Sequence, residues 1–338
     1  MREPAFWYGP PSLTARALRP LGAIYGAITS RRMTRQGWQA PVPVLCVGNF
    51  HLGGAGKTPT VLALSALLRE WGETPVVLSR GYGGRLTGPV LVDAASHEAA
   101  DVGDEPLMMA RRIAVVVARH RPAGVALACS CGATVVVMDD GFQNPALTRD
   151  LSLIVVDGGR GIGNEAVFPA GPLRAPLQTQ LARADALIII GAGAGGERLR
   201  ALAGDIACLS AALVPDAAAV ATLRQRPVFA FAGIGDPERF FRSLRACDIH
   251  VAGTRAFPDH HVFTRAEIDD LRAQALQAAA TLVTTEKDMA RLSGMDGFAI
   301  WGEAIMALPV RLEFEDEAGW RGLIGHALDQ ARSRRQQP

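Results

Sequence analysis

The residues with the clearest chemical pattern lie between two apolar runs, in the stretch GNFHLGGAGKTP that begins at Gly48. Its end matches the phosphate-binding pattern G-x-x-x-x-G-K-[ST], although His51 stands where that pattern has its first glycine. Such a loop needs backbone N–H groups around phosphate oxygens, then a helix, a lysine and a hydroxyl. Lys57 can reach the β- and γ-phosphates, and Thr58 can hold Mg²⁺. The loop predicted to bind nucleotide comprises His51, Leu52, Gly53, Gly54, Ala55, Gly56, Lys57 and Thr58.

A second chemical pattern is the pair of aspartates in ATVVVMDDGFQN, where an apolar run ends at Asp139 and Asp140. Proteins with a phosphate-binding loop place a Mg²⁺-binding carboxylate at such a strand end. Two aspartates there can also be a simple polar cap, but the preceding phosphate loop favours the metal role. ATP and Mg²⁺ are therefore the expected cofactors, with Thr58, Asp139 and Asp140 as the expected metal ligands.

The elements that position these residues follow the alternation of a parallel α/β sheet, in which short apolar runs alternate with longer amphipathic ones. A helix is predicted over Thr58–Arg69, directly after the loop. Buried strands are predicted at Val42–Val47, Pro75–Leu78, Val115–Val117, Thr134–Met138, Leu153–Val156 and Ala186–Ile190. A new strand–turn–helix cycle begins with RPVFAFAGIGDPERFF, which predicts a second, smaller α/β domain after a boundary near residues 210–225.

Length and composition set broad limits on the protein. The chain has 338 residues with a net charge of +2, which favours two globular domains and gives no argument for nucleic-acid binding. Its five cysteines are odd in number and form no C-x-x-C pair, so we expect neither a disulfide scaffold nor a zinc site. The cysteines are expected to be small buried residues in a reducing compartment.

Residues 1–40 differ from the rest because six arginines face one glutamate, a net charge of +5, among interleaved aromatic and aliphatic residues. The longest uncharged run after Arg19 is far short of the roughly 20 residues that span a bilayer. Such a segment is typical of a basic amphipathic helix that lies on an anionic membrane surface. The alternative is a helix that packs on the protein's own core and leaves a basic face in water.

Several further motifs follow the phosphate loop in a specific order: SRGYGG at 79–84, VGDEP at 102–106, DDGFQ at 139–143, GNEAVFPAGPLR at 163–174, FPDHHVF at 257–263 and TTEKD at 284–288. Together with the loop, this ordered set resembles the tetraacyldisaccharide 4′-kinases, the LpxK family. The resemblance covers nearly the whole chain, from the N-terminal helix to about residue 325. It implies a P-loop NTPase-like, mostly parallel sheet flanked by helices, with a second smaller α/β domain and an N-terminal membrane-interface helix.

The resemblance also implies a reaction. ATP would phosphorylate the 4′-hydroxyl of an acylated glucosamine disaccharide 1-phosphate, a lipid A precursor, at the cytoplasmic face of the bacterial inner membrane. The expected partners are this lipid and the membrane surface, and a monomer is expected. The expected divisions are a membrane-interface segment at 1–40, a kinase core at 41–215 and a smaller domain at 216–330 that closes over the active site.

The family's catalytic aspartate in G-D-E-P corresponds to Asp104, and its partner histidine in F-x-D-H to His260. Such a pair can orient a sugar hydroxyl and take its proton, although Glu105 is an alternative carboxylate. In an extended segment His261 would point away from His260. The full expected set is Asp104, His260, Lys57 and Arg174 in catalysis, and Arg80, Tyr82, Gln143 and Asn144 at the substrate. Lys287 is expected either near the nucleotide or at the interdomain hinge.

Two positions depart from the family's usual pattern. Ala175 follows Arg174 where glutamate is frequent, and Glu165 is a candidate replacement. Ala55 stands in the loop where threonine is usual. Neither departure removes the expected catalytic or metal-binding residues, so an active kinase is still expected.

Two other functions fit parts of the sequence. The first is a membrane-associated P-loop ATPase that acts as a switch without a lipid acceptor. The second is a soluble small-molecule kinase or ligase on the same fold. FPDHHVF argues against the switch because a switch needs no Asp–His motif far from the loop, and the N-terminal segment argues against the soluble enzyme.

Overall fold

The computed structural model describes residues 3–10 and 12–336, and its strands fall into two sheets. The strands are β1 Val44–Gly48, β2 Pro75–Ser79, β3 Val90–Leu91, β4 Val115–Val117, β5 Val135–Asp139, β6 Leu151–Asp157, β7 Ala186–Ile190, β8 Ala207–Pro215, β9 Val228–Ala232, β10 Val251–Ala256, β11 Thr281–Thr285, β12 Ile305–Leu308 and β13 Val310–Phe314. The six strands predicted from apolar runs are all present, with shifts of one or two residues at their ends.

Helices connect and cover these strands. They are α1 Leu13–Met33, α2 Lys57–Glu70, α3 Ala99–Val102, α4 Asp104–Ala110, α5 Arg121–Ser130, α6 Leu177–Leu181, α7 Ala194–Ala203, α8 Ala217–Leu223, α9 Pro237–Ala246, α10 Arg265–Gln277, α11 Glu286–Leu292, α12 Phe298–Trp301 and α13 Glu317–Gln336. The helix predicted after the phosphate loop is α2, which begins one residue earlier than expected. Across the described residues, every helix falls short of the length and apolarity that a membrane crossing requires.

The larger sheet has the strand order β13-β8-β7-β6-β1-β5-β2-β4-β3 within the described residues. Its inner strands are parallel, while β3 and β13 pair antiparallel with their neighbours at the two edges. In the parallel pairing of β1 with β5, Val47 lies opposite Asp139. The carboxyl ends of these two strands therefore bring the phosphate loop and the aspartate pair to one edge of the sheet, as expected for a P-loop fold.

The smaller sheet has the order β10-β9-β11-β12, and all three of its strand pairings are parallel. After β12 the chain returns to the larger sheet, where β13 pairs with β8. Helix α13 then packs Trp320 and Ile324 into the core of the larger sheet. Residues 216–330 thus contain the smaller sheet together with a strand and most of a helix that belong to the larger one. The predicted domain limits stay a prediction.

The N-terminal segment both packs on the protein and leaves apolar residues in water. A Cβ on Gly22 would lie 2.8 Å from the carbonyl oxygen of Val167, so that this face of α1 approaches the larger unit closely. Trp7 is buried and donates to the carbonyl of Pro169 at 3.2 Å. The opposite face of α1 exposes large apolar side chains: Leu13, Leu21, Ile24, Tyr25 and Ile28. The two interpretations of this helix are therefore not exclusive.

The cysteines differ in part from the expectation of five buried residues. Cys46 is buried in β1, but Cys131 is exposed and the other three are partly exposed. The expectation was wrong for Cys131 because it follows the last turn of α5, at the surface, rather than lying within a strand. All five are free thiols.

Candidate active site

The phosphate loop joins β1 to α2, and its glycines permit the backbone path. Gly53 has φ 104° and Gly56 has φ 91°, both in the region that side chains rarely enter. A Cβ on Gly56 would lie 2.5 Å from Ile190, so the loop also packs tightly on β7. Asn49 donates its side-chain N–H to the carbonyl of Gly53 at 3.0 Å and holds the loop in shape. The first residue of α2 is Lys57, at a helix N-terminus suited to phosphate.

The histidine that replaces the first glycine of the pattern is compatible with this loop. His51 is not among the residues with positive φ, so its position does not require glycine. Its side chain is buried, and Nδ1 lies 2.8 Å from the carbonyl oxygen of Leu52. Burial and, to a smaller extent, the charges of Lys57 and Arg174 lower the pKa of His51 to about 4. The ring is therefore neutral near pH 7 and adds no charge beside the loop.

The two adjacent aspartates have opposite electrostatic environments. Asp140 accepts two hydrogen bonds from Arg174, at 2.8 and 3.2 Å, and lies 3.7 Å from the Lys57 ammonium. Burial alone would raise the pKa of Asp140, but these two cations lower it to about 2. Asp139 accepts one bond from the Ser79 hydroxyl at 3.1 Å, and its Oδ1 is buried without a partner. Burial and the charges of Glu105 and Asp140 raise the pKa of Asp139 to about 7.

The free oxygen of Asp139 fits a cation site. A divalent ion there would offset the crowding of Asp139, Asp140 and Glu105, which adds to burial in raising the pKa of Asp139. Within the described residues, no group of three or more histidine, cysteine, aspartate or glutamate side chains forms a metal cage. Mg²⁺ commonly takes only one or two carboxylates and completes its shell with water and phosphate oxygens, so a cage is not required. Thr58 is partly exposed in the first turn of α2, on the same loop.

Arg174 is fixed by several groups beside the loop. Besides Asp140, its Nε donates to the carbonyl of His51 at 3.1 Å. Gln143 donates to the carbonyl of Asn49 at 2.7 Å and accepts from Arg174 at 3.4 Å. Both ends of the Gln143 carboxamide are thus engaged by the protein. The Asn144 side chain accepts from the backbone N–H of Ala146 at 2.9 Å and closes a turn. Substrate contacts of Gln143 and Asn144 stay predictions.

The motifs SRGYGG and VGDEP meet backbone to backbone. Gly103 has φ 93°, and a Cβ there would lie 2.5 Å from the carbonyl oxygen of Tyr82. A Cβ on Gly84 would lie 2.6 Å from the carbonyl oxygen of Asp101. Asp104 follows Gly103 as the first residue of α4. Tyr82 is 73% exposed, and its ring centroid lies 5.7 Å from that of His260. Arg80, in the same turn, is exposed.

The structure brings Asp104 and His260 together from the two sheets. His260 Nδ1 lies 3.1 Å from Asp104 Oδ2, and the Asp104 side chain is only 7% exposed. Because a carboxylate oxygen accepts, we assign the Nδ1 of His260 as the donor to Asp104, which leaves Nε2 as an acceptor. Nε2 lies 3.4 Å from the Lys287 ammonium, and the His260 side chain is 37% exposed. The pair therefore presents a proton acceptor to the cleft.

His261 points away from this pair, as predicted, but not for the predicted reason. The segment is a turn rather than an extended strand, and His260 has φ 58°. The ring of His261 stacks on Phe257 at 4.8 Å, and its Nε2 lies 3.0 Å from Glu267 of α10. His261 is thus partly exposed and packs within the smaller sheet's unit.

Sequence reasoning did not identify Arg291, which contacts Asp104 directly. Its Nε and Nη2 donate to Asp104 Oδ2 at 2.8 and 2.5 Å. Lys287, one turn earlier on α11, lies 3.1 Å from Glu105 Oε1 and 3.9 Å from Asp104 Oδ2. Lys287 was expected near nucleotide or hinge, and the structure places it at the interface of the two units. The spacing of Lys287 and Arg291, four residues apart on one helix face, is the signal that could have found Arg291.

The two departures from the family pattern lie in apolar surroundings. Ala55 is buried in the core cluster beneath the loop, and Ala175 is buried on the other face of the sheet. Glu165, the candidate replacement, forms its ion pair with Arg198 of α7 at 2.5 Å. This contact gives no support to a role of Glu165 beside the phosphate loop.

The fold and this site define a phosphate-loop α/β protein with an Asp–His pair formed between its two sheet units. The sequence matches the family of tetraacyldisaccharide-1-phosphate 4′-kinases (LpxK) over residues 14–329, and the chain belongs to that family. It is 63% identical to the tetraacyldisaccharide 4′-kinase of Bradyrhizobium diazoefficiens, with 99% of each chain covered. It is 59% identical to that of Nitrobacter hamburgensis, with 98% of this chain and 100% of the relative covered.

A solved structure shows the same architecture. The crystal structure described as the "apo" form of LpxK from Aquifex aeolicus in complex with ATP matches 94% of this chain and 100% of that chain, with a TM-score of 0.72 and 27% sequence identity. The similarity includes both sheet units, since it extends over nearly all of both proteins.

Proposed function

We propose that the protein transfers the γ-phosphoryl group of ATP to the 4′-hydroxyl of an acylated glucosamine disaccharide 1-phosphate, a step of lipid A biosynthesis. The acceptor is the class of lipid for which the family is named. ATP use agrees with the ATP complex of the related structure.

At the nucleotide end, the loop N–H groups and Lys57 bind the β- and γ-phosphates, and Arg174 stabilises charge on the transferring group. Arg174 reaches this position through Asp140 and the carbonyl of His51. Asp139, Asp140 and Thr58 would hold Mg²⁺, with Asp139 offering the free oxygen. When bound, Mg²⁺ neutralises charge on the β- and γ-phosphates.

At the acceptor end, His260 Nε2 takes the proton of the sugar hydroxyl as its oxygen attacks phosphorus. Asp104 accepts the Nδ1–H of His260, fixes the tautomer and stabilises the imidazolium that forms. Lys287, at 3.4 Å from Nε2, must move aside when the hydroxyl enters. Arg80 and Tyr82 are proposed to contact the sugar or its 1-phosphate, because both are exposed and the Tyr82 ring lies beside that of His260.

One observation carries the proposal: the Asp–His pair, with Glu105 and Lys287 beside it, lies near the carboxylates that adjoin the phosphate loop. Lys57 lies 3.7 Å from Asp140, and the neighbouring Asp139 has its pKa raised in part by the charge of Glu105. Glu105 pairs with Lys287, and Lys287 lies 3.4 Å from His260 Nε2. These positions support one site that holds both the phosphate-binding groups and the proton acceptor. An ATPase switch without an acceptor has no use for a proton acceptor there.

The same proposal includes a membrane site. The exposed apolar face of α1 and the net charge of +5 in residues 1–40 suit insertion into the interface of an anionic lipid surface. We propose the cytoplasmic face of the bacterial inner membrane, where an acylated substrate and ATP are both accessible. The expected monomer stays a prediction.

The test is ATP consumption by the purified protein in detergent, with and without the acylated disaccharide 1-phosphate, followed by identification of the lipid product. We expect acceptor-dependent ADP formation and a product that carries a second phosphate at the 4′-position. Equal ADP formation without the acceptor would favour the ATPase switch. Phosphorylation of water-soluble sugars at a similar rate would favour the soluble kinase.

A further inference from the structure

Arg291 joins the two units of the protein at the proposed proton-accepting pair. From α11 it donates twice to Asp104 of α4, at 2.8 Å from Nε and 2.5 Å from Nη2. Its Nη1 donates to Asp288 at 2.6 Å and to the carbonyl of Gly233 at 2.7 Å. Each nitrogen of the guanidinium is thus engaged, and the side chain is only 8% exposed.

Asp288 in turn is held rigidly within the smaller sheet's unit. It is fully buried and accepts from the Gly233 N–H at 3.1 Å and from the Thr285 hydroxyl at 2.7 Å. The guanidinium therefore has a fixed orientation before it meets Asp104. A planar group fixed in this way specifies where a carboxylate oxygen must lie, which a flexible point charge cannot do.

We infer that Arg291 is a positioning residue for phosphoryl transfer, which fixes Asp104 so that His260 faces the acceptor. This inference rests on the proposed function, in which His260 accepts the hydroxyl proton with Asp104 behind it. Asp104 Oδ2 accepts from Arg291 and from His260 Nδ1 at once, so the geometry of the first contact sets that of the second.

The charged groups that face Asp104 come from three elements. They are Glu105 on α4, Lys287 and Arg291 on α11, and His260 in the turn after β10. Burial would raise the pKa of Asp104, but the hydrogen bond from His260 and the charges of Lys287 and Arg291 hold it well below its ordinary range. Without Arg291, Lys287 at 3.9 Å is the one lysine or arginine near the carboxylate among the residues that the structure describes. The carboxylate would turn toward Lys287 and release the His260 ring.

A second arginine offers a matched control at the same interface. Arg112 follows α4 and pairs with Glu286, the first residue of α11, so it also links the two units. It has no recorded contact with Asp104 among the described residues, and its side chain is 45% exposed. A loss of interface contacts alone would affect Arg112→Gln and Arg291→Gln in the same way.

The experiment measures kcat, the KM for ATP, the KM for the lipid acceptor and the urea unfolding midpoint for six proteins: wild type, Arg291→Gln, Arg291→Lys, Arg112→Gln, Asp104→Asn and the Asp104→Asn/Arg291→Gln double variant. Arg291→Gln should lower kcat about 100-fold, because a misplacement of about 1 Å can have that effect. Both KM values should stay within about 3-fold. Arg291→Lys should recover about one-tenth of wild-type kcat, since it restores the charge but not the two-point contact.

Non-additivity is the decisive readout, since residues that act as a unit show it. The double variant should be within about 3-fold of Asp104→Asn, and Arg112→Gln should keep wild-type kcat within about 3-fold. Wild-type kcat in Arg291→Gln, with an inactive Asp104→Asn, would overturn the inference and leave the proposed function intact. Wild-type kcat in Asp104→Asn would refute the proposed acceptor site itself. Equal losses in Arg291→Gln and Arg112→Gln would also overturn the inference. Should Arg291→Gln fail to fold, Arg291→Lys decides, and wild-type kcat in that variant would overturn it.

Discussion

Asp139→Asn should raise the free energy of unfolding, whereas Asp140→Asn should lower it. Asp139 is a buried carboxyl with raised pKa and one unpartnered oxygen, whereas Asp140 is held by Lys57 and Arg174. The two residues are neighbours in sequence and of equal size, so each variant is the control for the other. Both variants should lose phosphoryl transfer, since both carboxylates belong to the proposed metal site.

The magnitudes follow from the difference in pKa between the folded and unfolded chain. For Asp139 the pKa rises from 3.8 to about 7. At about 1.4 kcal/mol for each pKa unit, this gives an upper bound of about 4 kcal/mol. A raised carboxyl pKa means that the folded state binds the proton more tightly, so the penalty is absent below pH 3.8, grows as the pH rises toward 7 and is full above it. Local relaxation and water penetration reduce this bound. We expect Asp139→Asn to raise the free energy of unfolding by about 2 kcal/mol at pH 8 and by much less at pH 5.

For Asp140 the sign is reversed, because its pKa falls from 3.8 to about 2. Its contribution to stability is present above pH 3.8 and is lost as the pH falls toward 2. The Asp140 side chain is 36% exposed, so solvent screening reduces its contribution to stability. We expect Asp140→Asn to lower the free energy of unfolding by about 1 kcal/mol at pH 8.

Urea unfolding at pH 5 and pH 8, without nucleotide or metal, measures these effects. Mg²⁺ with ATP should then raise the unfolding midpoint of the wild type at pH 8 and raise that of Asp139→Asn much less. If Asp139→Asn is less stable than the wild type at pH 8, or if its advantage does not grow with pH, the assignment of Asp139 as the unpaired metal-binding carboxylate is wrong.

Three further perturbations test the other parts of the site. Lys57→Ala should lower kcat by at least about 100-fold, because its charge is directed at the transferring phosphate, and should lower the unfolding midpoint slightly, because Asp140 loses one of its two cations; near-normal turnover would exclude the loop from the mechanism. His260→Ala should lower kcat about 100-fold or more, whereas His261→Ala should lower the unfolding midpoint more than kcat; the reverse order would mean that the wrong histidine was chosen. A double Ile24→Ser/Ile28→Ser variant should sediment less with anionic vesicles and raise the KM for the lipid several-fold, with the KM for ATP unchanged; equal vesicle binding would remove α1 from the membrane site.

Local sequence signals predicted the parts of the site that one strand and its following turn can build. The apolar run before Gly48, the glycines and Lys57 identified the strand, loop and helix, and the run before Asp139 identified the neighbouring strand. Parallel strands end at a common edge, so the meeting of loop and aspartates also followed from the pattern. The resemblance, rather than any local pattern, supplied the pairing of Asp104 with His260.

Other features depend on contacts between distant parts of the chain. The contact of Arg291 with Asp104 spans 187 residues. The helical spacing of Lys287 and Arg291 can mark Arg291, but no local pattern identifies Asp104 as its partner. The return of β13 to the edge of the larger sheet was equally invisible, because an apolar run does not say which sheet it joins. The positive φ of His260 belongs to a turn in which the N–H of His260 donates to the carbonyl of Gly233. The residues next to His260 in sequence do not predict this contact.

The ion pairs of the site also indicate how it changes when substrate enters. Carboxylates lie beside the cations that are proposed to hold phosphate or admit the hydroxyl: Asp140 beside Lys57 and Arg174, and Glu105 beside Lys287. The Glu3 carboxylate likewise packs against the loop, since a Cβ on Gly53 would lie 1.8 Å from its Oε1. On the proposed function, an incoming triphosphate would contact Lys57 and Arg174, which Asp140 holds in place, and the acceptor hydroxyl would displace Lys287 from His260 Nε2. Because Glu105 and Lys287 belong to different units, displacement of Lys287 loosens one contact between the units, whereas Arg291 keeps Asp104 and His260 aligned. The acceptor can thus reach His260 without dismantling the pair that accepts the proton.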